Sequence, residues 1–516
     1  MTAPEYHAVS WNEPIIYEIS RKGRRASMIP RIESEIREQI GEPSLPDMMR
    51  RKVAPKLPEL SEPQVIRHYL RLSQQTFGVD SGIHIHGTCT MKYNPKINEA
   101  IARSAKSADT HPLQDEETVQ GTLEVMFQLK KWLCQISGMD DFSLQPRGGA
   151  HAVLTNALMI GAYHKSKGEG DQRNEVITTI HSHPCNGGSA AVAGYKVLTL
   201  YPDRETGCPD LEALKSAVSK RTAALMVTDP YDTGVFDPKI DEYIKIIHEV
   251  GGLVAVDQAN ANSLLGRLRV GDIGADLCHF NLHKTFSAPH GSTGPGSAPV
   301  GVKAHLARFL PVPVVEFDGG KYYLDYDRPD SIGKVGQFFG VVPNMLKAYM
   351  WILSMGEEGL RETSEIAVLN NNYMIKKLSE VKGVTLPWAE KQPRRLQEAR
   401  FSLGKLKDET GIGVNDVNRR IIDFGIQDSE TSHEPWFIPE PLTPEPPEST
   451  SIEDIDTFVR TISLVCKEAY SNPEVVRSAP HRASIARMNL APASDPNKWA
   501  MTWRAYVRKH HHQEVA

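Results

Sequence analysis

Between residues 175 and 280 short apolar runs recur, separated by stretches with helical spacing. The runs at 175–180, 196–200, 223–228, 252–256 and 277–280 are rich in Val, Ile, Leu and Ala. That composition without strict alternation is the mark of strands buried on both faces. Amphipathic stretches at 211–219 and 239–250 lie between them and predict helices. Strands alternating with helices predict an α/β domain built on a mainly parallel sheet. Such sheets bind ligands beyond the carboxyl ends of their strands, so chemistry is expected there.

The pattern changes on either side. Residues 1–80 carry charges and prolines throughout, with a short helix expected at 62–75. They read as an N-terminal arm that buries its few apolar positions on the main body or on a partner subunit. The large α/β domain spans 81–345, with an irregular glycine-rich stretch from 310. A long helix is expected from 345 to 380. It opens a region, 346–495, that holds this helical connection and a smaller C-terminal α+β domain. The proline-rich stretch 435–447 must be extended, because proline removes the amide donor and restricts its predecessor. Residues 496–516 form a tail.

Composition narrows the class. A chain of 516 residues exceeds one ordinary core and suits two domains. The formal net charge of −5, with no long basic stripe, gives no reason to expect a nucleic-acid partner. No apolar run approaches the ~20 residues that span a bilayer, so no membrane association is expected. Six cysteines (Cys89, Cys134, Cys185, Cys208, Cys278 and Cys466) lack CxxC spacing and read as reduced thiols. A cytoplasmic location is expected. Histidine pairs at His84/His86, His181/His183 and His279/His283 are not accompanied by HExxH or CxxC. With His510 to His512 read as a solvated tail, no metal is expected.

Four features follow one another along the α/β region. Arg147-Gly148-Gly149-Ala150-His151 opens a helix expected at 152–163. His183 lies just past the strand at 175–180. Asp257 ends the strand at 252–256. Lys284 follows the strand at 277–280, within Phe280-Asn281-Leu282-His283-Lys284-Thr285-Phe286-Ser287, and Pro289, Gly291, Gly294, Pro295 and Gly296 come after it. Singly, each has a plain structural reading: a loop, a polar strand end, a turn aspartate, a surface lysine. Together they supply what pyridoxal phosphate needs. Lys284 bonds its aldehyde, Asp257 pairs with its ring nitrogen, the amides at Gly148, Gly149 and Ala150 hold its phosphate, and His183 covers its ring.

At these residues the sequence resembles the glycine dehydrogenase (decarboxylating) family, the P-protein of the glycine cleavage system. It is similar to the C-terminal half, which in split systems is a separate chain, subunit 2. The matching stretches are Cys89 to Asn98, His111 to Glu116, Asn281 to Pro289, Gly291 to Val302 and Ala479-Pro480-His481, within a likeness running from about 13 to 490. The resemblance implies a fold-type-I pyridoxal-phosphate enzyme and a subunit-1-like partner chain. It also implies decarboxylation of glycine, a small amino-acid substrate, with transfer of the aminomethyl group to a lipoylated H-protein. The expected cofactor-binding set is Lys284, Asp257, His183, Gly148, Gly149, Ala150, Asn260 and His283, with Lys284 and His183 catalytic.

The chain departs from the family's usual wording at 83–88, 147–152, 182–187, 228–233 and 257–260. Ser182-His183-Pro184-Cys185-Asn186-Gly187 stands for Ala-His-Gly-Thr-Asn-Pro, and Thr228-Asp229-Pro230-Tyr231-Asp232-Thr233 stands for Thr-Asn-Pro-Asn-Thr. These changes set a second expectation beside the first: a divergent pyridoxal-phosphate enzyme acting on another amino acid. Retention of Lys284 and Asp257 argues against a non-catalytic assembly partner.

Overall fold

The structure, a computed structural model, describes residues 5–25, 32–41, 45–87, 92–291, 294–433, 436–489 and 491–510. Of the positions named above, Thr88, Cys89, Thr90, Met91, Ser292, Thr293, Pro435, His511 and His512 lie outside them.

A seven-stranded sheet organises the larger part. Its strands are β1 (Asp141–Ser143), β2 (Glu175–Thr179), β3 (Lys196–Leu200), β4 (Thr222–Thr228), β5 (Leu253–Gln258), β6 (Leu277–Phe280) and β7 (Val300–Val302). The order across the sheet is β1-β7-β6-β5-β4-β2-β3. Neighbours from β3 to β6 pair in parallel, and β7 runs antiparallel to both β6 and β1. The fold is therefore α/β, as the alternation of apolar runs requires.

Burial on both faces explains those runs. In β4 and β5, Leu225, Val227, Val254 and Val256 enter one core with Leu123, Met126, Leu129 and Leu133 of the helix Gln120–Ser137. Their neighbours Ala224, Met226, Leu253 and Ala255 enter a second core on the other face. There they meet Val153, Ala157, Met159 and Ile160 of the helix Gly149–Ser166. The split follows the two-residue period of a strand. The helix Ile240–Glu249 presents Ile240, Tyr243, Ile244 and Ile247 to the first core, at the spacing of one helical face.

The region read as irregular from 310 contains a hairpin, β8 (Val314–Phe317) and β9 (Tyr322–Asp325). The Asp318 carboxylate accepts the Gly320 and Lys321 amides at 2.8 Å, and Gly319 takes φ +98°. The glycine pair that suggested irregularity is the turn itself.

The helix Val342–Leu378 breaks at Gly356, where φ is +64°. It leads into a separate apolar core formed with the helices Gly404–Thr410, Val414–Ile422 and Ile452–Ser471 and the short pair β10 (Phe401–Ser402) and β11 (Pro441–Leu442). β11 lies in the proline-rich stretch, which is extended there, whereas residues 437–440 bend and Glu440 takes φ +46°. In the arm, the helix Glu62–Gln74 is tied down by Glu13, whose carboxylate meets the His68 ring at 2.8 Å and the Arg71 guanidinium at 3.0 Å. No described helix is long and apolar enough to cross a membrane.

Candidate active site

The parallel register carries a polar line across the sheet's carboxyl edge. Thr228 of β4 pairs with Asp257 of β5, which pairs with His279 of β6. Paired residues of adjacent strands point to the same face. For Asp257 this is the face of Ala255, covered by the helices Gly149–Ser166 and Cys185–Val192. The Asn186 amide of the second helix reaches down to Asp257 Oδ2 at 2.9 Å. The Ala259 amide donates to Oδ1 at 2.9 Å, and His279 Nε2 lies 3.2 Å from the same oxygen. Burial pushes the Asp257 pKa up, but His279, the Ala259 amide, Asn186 and His183 outweigh it. The net position is below the ordinary carboxylate value, so Asp257 is ionised at neutral pH.

Lys284 sits in the turn that leaves β6. Its amide donates to Asn281 O at 3.0 Å, and the Ala288 amide closes the loop onto Leu282 O at 3.2 Å. The side chain is buried at 8% exposure, and it lines one cavity with Asp257, Asn260 and His183.

The helix Gly149–Ser166 begins beside this turn without a side-chain cap. Its first intrahelical bond runs from the Ala152 amide to Gly148 O at 2.9 Å, so the amides of Gly149, Ala150 and His151 precede the helical ladder. A Cβ on Gly149 would stand 3.0 Å from the Asn281 side-chain nitrogen, so glycine lets the lysine turn approach the helix start. Arg147 donates to Gln337 O, while its Nε is buried without a partner.

The remaining candidates occupy distinct places. His183 Nδ1 accepts the Cys185 amide at 3.1 Å, so its neutral ring carries the proton on Nε2. Its ring meets that of His433 edge-on at 4.9 Å. The ring is open to the cavity mouth, yet desolvation by the surrounding protein lowers its pKa. Asn260 also lines the cavity, but its amide is spent on Glu445. His283 packs against Gly296 and His290 and does not line the cavity; burial, with the nearby charges of His290 and Lys284, lowers its pKa to about 3. The His279/His283 pair therefore diverges. Among the described residues no group of three or more His, Cys, Asp or Glu could hold a metal ion.

Asp232, within the departure at 228–233, lines the cavity beside Lys284, as do Arg400, Glu430 and His433, which the sequence does not single out. Arg400 and His433 come from the C-terminal part, more than a hundred residues from the lysine motif, and carry no local signal. Asn186 and His279 were findable. Asn186 sits three residues after His183 at the start of a helix, and His279 follows from aligning β5 and β6 at their ends.

The residues present fit pyridoxal phosphate by the chemistry of their donors. A buried ionised carboxylate, an uncapped helix start and a buried lysine converge on one carboxyl edge. Residues 147–294 match the family model for aminotransferase class-V, and residues 363–484 match that for the glycine dehydrogenase C-terminal domain. A solved glycine decarboxylase (P-protein) of the glycine cleavage system, in inhibitor-bound form, superposes with a TM-score of 0.71 at 20% identity. The match covers 84% of this chain and 99% of that one. The cysteine desulfurase CsdA from Escherichia coli superposes at 0.57 and 15% identity, over 77% and 98% of the two chains. Both establish the fold. The sequence is 47% identical to the probable glycine dehydrogenase (decarboxylating) subunit 2 of Pyrococcus horikoshii, over 97% of this chain and 98% of the relative. It is 42% identical to the protein of that name from Thermotoga maritima, over 95% and 99%. The chain belongs to the glycine dehydrogenase (decarboxylating) subunit 2 family.

Proposed function

We propose that this chain is the pyridoxal-phosphate-bearing subunit of a glycine-decarboxylating enzyme. It works with a subunit-1-like chain and passes the aminomethyl group to a lipoylated carrier protein. The observation that carries the reading is the convergence of Lys284 and ionised Asp257 on one cavity, in a chain that matches its subunit-2 relatives from end to end.

When bound, pyridoxal phosphate supplies an electron-withdrawing ring that stabilises negative charge at the substrate's α-carbon. Lys284 would hold the cofactor through its aldehyde carbon. Asp257 would keep a proton on the ring nitrogen, because an ionised buried carboxylate favours the charged partner. The amides of Gly149, Ala150 and His151 at the helix start would hold the phosphate. His183, neutral with its proton on Nε2, would cover the ring. The atom balance is simple. The bond from the α-carbon to the carboxylate breaks and carbon dioxide leaves. The α-carbon then forms a bond to one sulfur of the lipoyl disulfide, whose second sulfur takes the electron pair and a proton. The five described cysteines are free, in keeping with a cytoplasmic enzyme.

The test uses the purified chain loaded with pyridoxal phosphate. It should absorb in the visible range and carry cofactor that borohydride fixes to Lys284; Lys284→Ala should lose both. With subunit 1 and lipoylated carrier it should exchange label between bicarbonate and the glycine carboxyl group. Cofactor bound at Lys284 with no exchange under any combination would overturn the glycine assignment.

A further inference from the structure

The proposed reaction leaves one proton without a carrier. An amino acid arrives at neutral pH as an ammonium ion. Only its free amine can take the place of Lys284 at the cofactor's aldehyde carbon. Later, the sulfur that takes the electron pair needs a proton to leave as a thiol. The two demands balance, since the proton shed by the ammonium is the one the sulfur requires. A side chain that can both take and give a proton has to hold it in between.

Most titratable side chains around the cavity are already engaged. Asp257 accepts from the Asn186 and Ala259 amides, and Asp232 pairs with Arg400 at 2.9 Å. Glu430 meets the His86 ring at 2.8 Å, and Glu398 accepts from Gln397 at 3.3 Å. His183 Nδ1 accepts the Cys185 amide, and His181 Nε2 donates to Gly207 O at 2.7 Å. His433 differs. Among the described residues nothing hydrogen-bonds to its ring nitrogens. Its loop is nevertheless fastened: the Thr443 amide donates to Glu430 O at 2.8 Å, Thr443 Oγ1 to Thr431 O at 2.8 Å, and Trp436 Nε1 to Ser432 O at 3.1 Å. The ring is thereby held edge-on to His183, with 4.9 Å between centroids. It borders the Lys284 cavity on one side and, on the other, a second hollow lined by Thr178, Thr199 and Ser432. Of the charged groups on the cavity wall, Glu430 and Asp232 favour a proton on His433, Arg400 and Lys284 oppose it, and His183 is neutral.

We propose that His433 is a catalytic residue that carries this proton, taking it from the substrate's ammonium group and giving it to the departing lipoyl sulfur. The proposal rests on the reading that the cavity binds pyridoxal phosphate and an amino acid, with a lipoyl disulfide as acceptor. In the first transfer an N–H bond of the ammonium breaks and one forms on the imidazole. In the second that bond breaks as the S–H bond forms. No proton is exchanged with solvent, and the lipoyl disulfide is the only oxidant. A neutral imidazole suits both transfers, because it has a lone pair on one nitrogen and a proton on the other.

The experiment compares wild type, His433→Gln and His433→Ala, each loaded with cofactor and assembled with subunit 1. The first measurement is the proton released to solvent on saturation with glycine, read with a pH indicator in weak buffer, while visible absorbance follows binding. Wild type should release almost none. Each variant should release about one proton per site, because the ammonium then loses its proton to water. The second measurement adds lipoylated carrier and follows label exchange between bicarbonate and glycine. Exchange should fall on the order of 100-fold in both variants, and free imidazole should restore His433→Ala by at least about tenfold. Equal proton release in wild type and variants would overturn the proposal, and so would variant exchange within about threefold of wild type. Lost exchange with neither extra proton release nor rescue would mark a structural role and overturn it as well. Wild-type protein that binds glycine without any exchange would overturn the glycine-cleavage reading, and proton release would then still decide whether His433 takes the ammonium's proton.

Discussion

Glu445 is fully buried between prolines, and it fastens the C-terminal part to the loop that follows Asp257. Its Oε1 accepts from the Asn260 amide at 2.8 Å and from the Asn262 amide at 2.6 Å, and its Oε2 accepts from Asn260 at 2.8 Å. Lys92 contributes a facing positive charge. Replacing Glu445 with Gln keeps the volume but turns one acceptor into a donor aimed at the Asn260 amide. Asn260 cannot answer by flipping, because its own oxygen accepts the Asn262 backbone amide at 3.0 Å. The change therefore removes one charge-assisted bond and creates a donor–donor contact, a loss of about 1.5–3 kcal/mol. Glu445→Ala, which strips every acceptor, should cost about 3–5 kcal/mol. The assay is urea unfolding of the cofactor-loaded protein, followed by tryptophan fluorescence, with Asn262→Ala completing a double-mutant cycle. The coupling between Glu445→Gln and Asn262→Ala should be about 1–2 kcal/mol. Additivity within about 0.5 kcal/mol, or a Glu445→Gln protein as stable as wild type, would refute the clamp.

Three further outcomes follow from the same structure. Asp257→Asn should retain cofactor on Lys284 yet lower glycine–bicarbonate exchange on the order of 100-fold or more, since the buried negative charge is lost; a rate near wild type would remove Asp257 from the chemistry. Gly234→Ala should yield insoluble protein or cost more than about 3 kcal/mol in thermal unfolding, because φ is +75° and a Cβ would stand 1.8 Å from Glu398 O. Burial alone would lower the pKa of His86, but its bonds to Glu430 at 2.8 Å and Asp428 O at 2.9 Å and their charges raise it to about 9. A raised folded-state pKa stabilises fully below the ordinary histidine value of about 6.5 and is lost as pH rises through about 9. Thermal stability should thus decline between pH 7 and 10 in wild type and less so in His86→Gln; parallel curves would exclude the pair as the cause.

The readable part of the site is the part built by consecutive chain. Asp257 and Lys284 each end or follow a buried strand, and an apolar run terminated by a charged residue reports both the strand and its edge. The glycines at 148 and 149 report a helix start for the same reason: the chemistry and the local backbone are set by the same few residues. Register is one step less legible. His279 and His283, four residues apart, suggest one face of a helix, whereas His279 belongs to β6 and faces Asp257 across a strand pair. His283 stands next to Lys284 in the sequence, yet the turn sends its side chain toward Gly296. The hairpin β8–β9 is hard to see in the sequence because its glycines break the strand pattern at the turn they form.

The wall opposite Lys284 obeys a different logic. Arg400, Glu430 and His433 reach the cavity only because the C-terminal core is held against the sheet, and Glu445 and the Arg400–Asp232 pair make that hold. None of these contacts has a sequence period, since each joins segments more than a hundred residues apart. The division has a functional consequence. Asp257, Lys284 and the glycines at 148 and 149, the groups proposed to serve the cofactor, lie at strand ends and a helix start, and substitution there disturbs the sheet's own packing. Asp232 and the lining residues of the C-terminal part lie on loops and on a second core, where a change alters the lining without touching the sheet. Departures from the family's usual wording at 228–233 are therefore compatible with an intact sheet, because Asp232 lies in the loop beyond β4.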